Sequence, residues 1–402
     1  MRISIEPGPL QGTLTAPPSK SMAHRMLICA ALAEGESLVR PIELSEDILA
    51  TADCLQALGA VIRREGDGLR VTGCRPEKAR NAVLPCRESG STLRFMLPLC
   101  LLSGAEMRLT GSGRLPERPL DVYEDLCREK GFRLEREAGG ITVQGRLESG
   151  LYSVRGNISS QFITGLLFAL SALEGESEIR ILPPLESGSY LEMTLEALRE
   201  NGIRIERPEP LTLRIRGGAF APGEKTVEGD WSNAAFFEAM NSAGGEVRVT
   251  GLREDSLQGD RVCREYFRRL KDGQGEADVK DCPDLAPILL TAAALAGGGK
   301  LTGTRRLRFK ESDRGAAMAE ELAKFGVATE IGENEITVGK AELRRPAEIL
   351  QGHNDHRIVM ALAVLCTRTG GTLDGAEAVR KSFPDFWKRM AELGARIETE
   401  GE

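Results

Sequence analysis

Lys20, Ser21 and Arg25 stand at the front of an apolar run, residues 26–33, in a segment that reads Pro-Pro-Ser-Lys-Ser-Met-Ala-His-Arg from Pro17. The spacing predicts a helix whose start carries two cations. Backbone N–H groups left open in a first turn, the positive end of the helix dipole and these side chains together suit a phosphate or a carboxylate. Taken alone, the segment reads equally well as a capped helix with surface cations. Recurrence decides between the readings. Similar short cationic segments occur at residues 88–94 (Glu-Ser-Gly-Ser-Thr-Leu-Arg), 116–119, 310–314 (Lys-Glu-Ser-Asp-Arg), 355–357 (Asp-His-Arg) and 381–384, most of them where a loop is expected to enter a helix. The chemistry they imply is capture of small anions.

The bulk composition does not explain this clustering, because the 402-residue chain is acidic, with a formal net charge of −7. Only 4% of residues are aromatic, which argues against a stacking surface for nucleic acid and leaves small phosphorylated metabolites as the expected ligands. The length predicts two or three domains, and 41% hydrophobic with 28% charged residues is the balance of a globular protein. The N-terminal residues 1–8 read as a strand without the apolar core of a signal peptide, and no apolar run reaches membrane-span length, so a cytoplasmic location is expected. Nine cysteines without a C-x-x-C pair predict reduced, mostly buried thiols rather than disulfides or a zinc site. His24, His353 and His356 are the only histidines, and their spacing does not suggest a metal site; His24 is expected on a helix surface and His353 in a loop.

The elements that position these segments follow a repeat. Apolar helices end at Gly35, Gly104, Gly175, Gly244, Gly298 and Gly370, at intervals of roughly 70 residues with one shorter interval before Gly298. In most repeats a second helix follows and stops at Gly59, Gly131, Gly202, Gly326 or Gly394, before strands such as Ile203-Arg204-Ile205 and Ala395-Arg396-Ile397. Glycine suits such stops because it enters the left-handed region without a Cβ penalty. Six copies of an α/β unit, arranged as two pseudo-symmetric domains of three, are the simplest architecture; the short copy has Asp272-Gly273-Gln274-Gly275 in place of the usual helix end.

In order along the chain stand Pro-Ser-Lys-Ser-x-x-x-Arg, Ser-Gly-Ser-Thr-x-x-Arg, Glu-Arg-Pro, Ser-Ser-Gln-Phe, Val-Glu-Gly-Asp, Ser-x-Gln-Gly-Asp, Pro-Asp, Lys-Glu-Ser-Asp-Arg, Asn-Asp-His-Arg and Lys-Ser-Phe-Pro. The set resembles the 5-enolpyruvylshikimate-3-phosphate (EPSP) synthase family from end to end. That resemblance implies transfer of a carboxyvinyl group from phosphoenolpyruvate to the 5-hydroxyl of shikimate 3-phosphate, with release of phosphate, on the route to chorismate and the aromatic amino acids. It implies no metal and no organic cofactor, no nucleic-acid or membrane partner, and a monomer. The implied fold is a two-domain inside-out α/β barrel, each domain three βαβαββ repeats around buried helices, joined by a two-stranded hinge. The implied domains are 1–16 with 229–402, and 17–228, with the active site in the cleft between them.

By the same resemblance, phosphoenolpyruvate would be held by Lys20, Gly90, Arg118, Gln161, Arg314, His356, Arg357 and Lys381. Shikimate 3-phosphate would be held by Ser21, Arg25, Ser159, Ser160, Gln161, Ser187, Tyr190, Asp284 and Lys310. Asp284 matches the residue that takes the 5-hydroxyl proton, Glu311 the residue that protonates the methylene carbon, and Lys20 is a further proton carrier. Arg94 is expected in a supporting role. Without the resemblance, Ser159 would read as a helix cap, Tyr190 as a packing residue and residues 310–314 as an exposed salt-bridged helix start.

Two departures from the family pattern matter. Glu88 stands where the family has Asn, which brings a negative charge near the donor site unless Arg87 or Arg94 pairs with it, and Arg306 replaces an Asn that contacts shikimate 3-phosphate. Gly90 is kept, and a glycine there leaves room for glyphosate, the inhibitor of this family's phosphoenolpyruvate site. The related UDP-N-acetylglucosamine enolpyruvyl transferases carry a cysteine where this chain has Gly113 and Lys-Asn where it has Lys20-Ser21. A non-catalytic anion-binding protein of the same fold would be expected to lose Lys20, Asp284 or Glu311, and all three are present. A Walker-type loop is absent.

Overall fold

The computed structural model describes residues 1–271 and 275–400, so the Asp272-Gly273-Gln274 part of the short repeat lies outside the described residues. The chain divides into two compact units, a split unit of Met1–Pro17 with Gly229–Glu402 and an inserted unit of Pro18–Glu228. Within the inserted unit the Ser19 N–H donates to the Glu228 carbonyl at 2.7 Å, and within the split unit the Asp230 N–H donates to the Pro17 carbonyl at 2.8 Å.

One sheet pattern recurs. In the inserted unit Val83–Pro85 runs parallel to Met107–Thr110, which pairs antiparallel with Gly140–Gln144, which closes a hairpin with Arg133–Glu137. Leu151–Arg155, Glu176–Leu182, Thr212–Arg216 and Ile205–Glu209 repeat it. The third sheet takes its lead strand, Gly223–Thr226, from the far end of the unit, parallel to Glu36–Arg40. In the first two sheets the parallel strands follow one another in the chain and need a crossover, which a helix supplies.

The split unit repeats the pattern in Glu276–Asp278, Gly299–Thr302, Glu335–Val338 and Thr329–Ile331. In a second sheet the N-terminal strand Arg2–Ile5 lies between Gly371–Asp374 and Ile397–Glu400. The remaining sheet has only Gln11–Thr15 and Glu246–Thr250, in parallel. No hairpin follows it among the described residues, which accounts for the short interval in the sequence.

The first helix of each repeat is buried along most of its length. In the inserted unit these helices are Lys20–Leu32, Gly90–Cys100 and Ser160–Ser171; in the split unit, Trp231–Glu238, Ala286–Ala296 and His356–Thr369. Phe95 packs edge-on against both Phe168 (5.9 Å) and His24 (6.2 Å), so one ring links the three first helices of the inserted unit. Gly165 permits the closest approach: a Cβ there would collide with the Arg94 carbonyl and the Tyr123 hydroxyl.

Every glycine read as a helix stop has positive φ, from 70° at Gly131 to 131° at Gly298. The left-handed cap of Ala286–Ala296 is Gly297, one residue earlier than expected. The strands expected from Ile203 and Ala395 begin at Ile205 and Ile397, because the intervening backbone closes the helix end: Ile203 N–H donates to Leu198 O (2.9 Å) and Ala395 N–H to Met390 O (3.0 Å). All nine cysteines are free thiols and all but Cys74 are buried. Among the described residues no helix is long and apolar enough to cross a membrane.

Candidate functional site

Many of the predicted residues lie at helix starts, and the caps explain why those starts are well defined. Ser19, Ser89, Ser159, Asp230 and Asp355 each accept a backbone N–H of the helix that follows. Ser159 is therefore the cap that its sequence suggests, whatever else it binds.

In the inserted unit Lys20 is the first residue of its helix, and its Nζ lies 2.7 Å from Asp47 Oδ2, both side chains 13% exposed. Arg25 is buried and donates from Nε to Thr194 Oγ1 (3.0 Å) and from its two terminal nitrogens to the carbonyls of Ser21 (2.6 Å) and Tyr190 (2.9 Å). Burial lowers its pKa to about 10. Tyr190 thus meets Arg25 through its backbone. Ser187 starts the Gly188–Glu200 helix in a left-handed conformation, φ 57°.

Around Gly90 the contacts are close. A Cβ built there would lie 2.6 Å from Arg118 Cζ, so the bare glycine is what admits the guanidinium. Arg94 is buried; it donates to Gln161 Oε1 (2.6 Å) and Pro119 O (3.1 Å), and its guanidinium lies 5.0 Å from the Phe162 ring. Gln161 in turn donates to Ser91 Oγ at 2.8 Å. Ser160 is buried beside it. Glu88 lies against Gly113, where an added Cβ would come 2.6 Å from Glu88 Oε2. Arg87 bonds to Glu46 and Asp53.

In the split unit the centre is Asp284, in a short 3₁₀ turn before Ala286–Ala296. Its Oδ1 is 2.8 Å from an Arg314 nitrogen and 3.3 Å from Lys310 Nζ, and its Oδ2 is 2.9 Å from Arg357. Burial alone would raise its pKa, yet the charges of Arg357, Lys310 and Arg314 prevail and hold it well below the usual carboxylate range. Arg314 also holds Glu311 Oε2 at 2.7 Å and Asp355 Oδ2 at 2.9 Å. Burial lowers the Lys310 ammonium to about 8, with Asp284 opposing and Arg314 and Arg306 adding to the fall. Arg306 is buried and donates to the Lys280 carbonyl. Arg357 bonds to Ser232 Oγ (2.7 Å), Lys381 Nζ to Asn354 O (2.6 Å), and His356 is buried at its helix start.

Two expectations need correction. Residues 310–314 are not an exposed charged turn: the Arg314 side chain is 1% exposed, at the centre of three carboxylates. His24 is not on a surface, because its helix is enclosed on all sides; the ring is buried and Nδ1 lies 2.7 Å from Thr51 Oγ1. His353 is in a loop, as expected, and is tied to Glu321 at 2.9 Å. Glu320, Glu321 and His353 have donor atoms within 4.8 Å of one another, and both Glu321 oxygens already accept from Lys324 at 2.9 Å. Asp47 and Asp355 are the functional residues that sequence reasoning passed over; Asp355 could have been found from its place before His356-Arg357.

Fold and site define the class: an α/β repeat protein that gathers cations and carboxylates at capped helix starts, suited to anionic substrates and proton transfer. The model of the family described as EPSP synthase (3-phosphoshikimate 1-carboxyvinyltransferase) matches residues 5–390. The 3-phosphoshikimate 1-carboxyvinyltransferase of Clostridium kluyveri is 38% identical, over 98% of each chain, and that of Clostridium perfringens 37% identical, over 99% of this chain and 100% of its own. The chain belongs to the EPSP synthase family. A solved EPSP synthase from Acinetobacter baumannii, 24% identical, covers 100% of both chains with a TM-score of 0.79, and shows the fold to be the two-domain inside-out α/β architecture.

Proposed function

We propose that this chain transfers the carboxyvinyl group of phosphoenolpyruvate to the 5-hydroxyl of shikimate 3-phosphate, with Asp284 and Glu311 moving the protons. The 5-hydroxyl oxygen adds to C2 of phosphoenolpyruvate while its proton passes to Asp284, and the methylene carbon takes a proton from Glu311. The resulting tetrahedral adduct then loses phosphate, the methyl group returns a proton, and the double bond re-forms. The observation that carries this reading is Asp284 itself: an ionised carboxylate held by Lys310, Arg314 and Arg357 together. The cations lower its basicity but keep it ionised, so it holds no proton when the hydroxyl arrives, and the same cations favour bound anions.

The anion contacts are assigned as the resemblance implies. Lys20, Gly90, Arg118, Gln161, Arg314, His356, Arg357 and Lys381 serve phosphoenolpyruvate. Ser21, Arg25, Ser159, Ser160, Gln161, Ser187, Tyr190 and Lys310 serve shikimate 3-phosphate. Arginine forks at helix starts suit both the carboxylate and the phosphates. Glu311 must be protonated to act as an acid, and its 2.7 Å pair with Arg314 favours the ionised form. Bound substrate carboxylate would compete for that guanidinium and release Glu311 to take a proton.

The test is phosphate release from phosphoenolpyruvate with either shikimate 3-phosphate or UDP-N-acetylglucosamine as acceptor, with the product mass checked. Release with shikimate 3-phosphate alone supports the reading. Release with neither, or only with the UDP sugar, overturns it.

A further inference from the structure

Lys20 and His24 are one turn apart on the Lys20–Leu32 helix, and Asp47 and Thr51 are one turn apart on Glu46–Ala57. The two helices meet in two rungs: Lys20 Nζ to Asp47 Oδ2 at 2.7 Å, and His24 Nδ1 to Thr51 Oγ1 at 2.7 Å. The inner rung continues into a third helix. Thr51 Oγ1 lies 2.7 Å from Thr92 Oγ1, and Thr92 Oγ1 donates to Ser89 Oγ at 2.8 Å. Ser89 also accepts the Thr92 N–H (3.3 Å), which caps the helix that begins at Gly90. All four side chains of this chain are buried, none more than 1% exposed.

The direction of the hydrogens is set by counting them. Thr92 has one hydroxyl hydrogen, and its acceptors are Ser89 Oγ and, at 3.4 Å, the Asp47 carbonyl. Thr51 must therefore donate to Thr92, and His24 must donate Nδ1–H to Thr51. His24 Nε2 is buried with no partner, beside the edge-packed Phe95 ring, so it carries no hydrogen that a bond would require. Burial and the nearby charges of Lys20 and Arg25 push the imidazole well below its usual range and keep it neutral.

We propose that His24 is a positioning residue for the donor substrate: as the Nδ1–H tautomer it orients Thr51, Thr92 and Ser89 and so fixes the Gly90 helix start against Lys20. The inference rests on the assignment of Lys20, Gly90 and Arg118 to phosphoenolpyruvate. Gly90 sits against the Arg118 guanidinium, so a shift of that helix start moves the guanidinium with it. Arg25 makes its hydrogen bonds to other partners, Thr194 and the carbonyls of Ser21 and Tyr190, and meets the Gly90 helix through the Phe95 ring, 5.6 Å from its guanidinium, so the acceptor contacts depend less on the chain.

The experiment pairs Thr51→Val, which keeps the shape and removes the hydroxyl, with Thr51→Ser, which restores it. A nitrogen-15 spectrum of labelled wild-type protein reads the His24 tautomer directly. The valine variant should raise the KM for phosphoenolpyruvate about tenfold, leave the KM for shikimate 3-phosphate within about twofold, and be rescued by serine. Equal changes in both constants, no change in either, or an Nε2–H signal from His24 would overturn the proposal. Wild-type protein inactive with shikimate 3-phosphate would instead overturn the functional reading, and the tautomer signal would still decide the hydroxyl chain.

Discussion

Arg314 Nε lies 2.9 Å from Asp355 Oδ2, with side chains 1% and 0% exposed. Asp355 also accepts the Ser312 hydroxyl (3.0 Å) and the Arg357 N–H (2.9 Å), so one carboxylate caps the His356–Thr369 helix and anchors the arginine that holds Asp284 and Glu311. Removing it should leave a buried guanidinium undercompensated. Asp355→Ala is expected to cost about 3–5 kcal/mol of stability in urea titration. Wild-type stability would mean that Asp284 and Glu311 suffice to neutralise Arg314.

Asp284→Ala and Glu311→Ala should each lower kcat by about 10²–10⁴-fold. Shikimate 3-phosphate should still bind by calorimetry, because removing a carboxylate leaves the cations in place. Near-normal turnover in either variant would remove that residue from the proton path.

Lys310 should set an upper limit on the working pH. Its pKa, lowered to about 8, means that it is charged below that pH and neutral above it. The kcat/KM for shikimate 3-phosphate is therefore expected to fall as pH rises through about 8. Arg306→Asn removes a nearby positive charge and should move the inflection to higher pH, while Lys310→Arg should take it out of the accessible range. An inflection that ignores both substitutions belongs to another group.

Gly90→Ala brings a methyl against the Arg118 guanidinium. Glyphosate should inhibit the variant less, with inhibition lost more than activity, and the KM for phosphoenolpyruvate should rise because the same arginine is displaced. Equal loss of activity and inhibition would refute the steric account.

Much of the site was legible in the sequence because its parts are local. Lys20, Gly90, Ser159, Arg314 and Arg357 lie at or beside capping residues, and the glycine stops repeat because each repeat must turn from helix to strand in the same way. A cap, a stop and a cation in a first turn are set within a few residues, so they can be read one segment at a time.

Partnership could not be read that way. Asp355 meets Arg314 and Thr51 meets His24 across tens of residues, and His24 looked like a surface residue because nothing in its own helix shows that two other helices close over it. The sequence alone determined which charges and hydroxyls are available, the repeat that carries them and the helix starts they occupy. Tertiary structure decided which of them meet, and therefore which are ionised: Asp284 is driven well down, Lys310 is lowered to about 8 and His24 is kept neutral. The reason is physical, since desolvation and Coulomb attraction depend on burial and on separations of a few ångströms, which exist only once distant segments are packed.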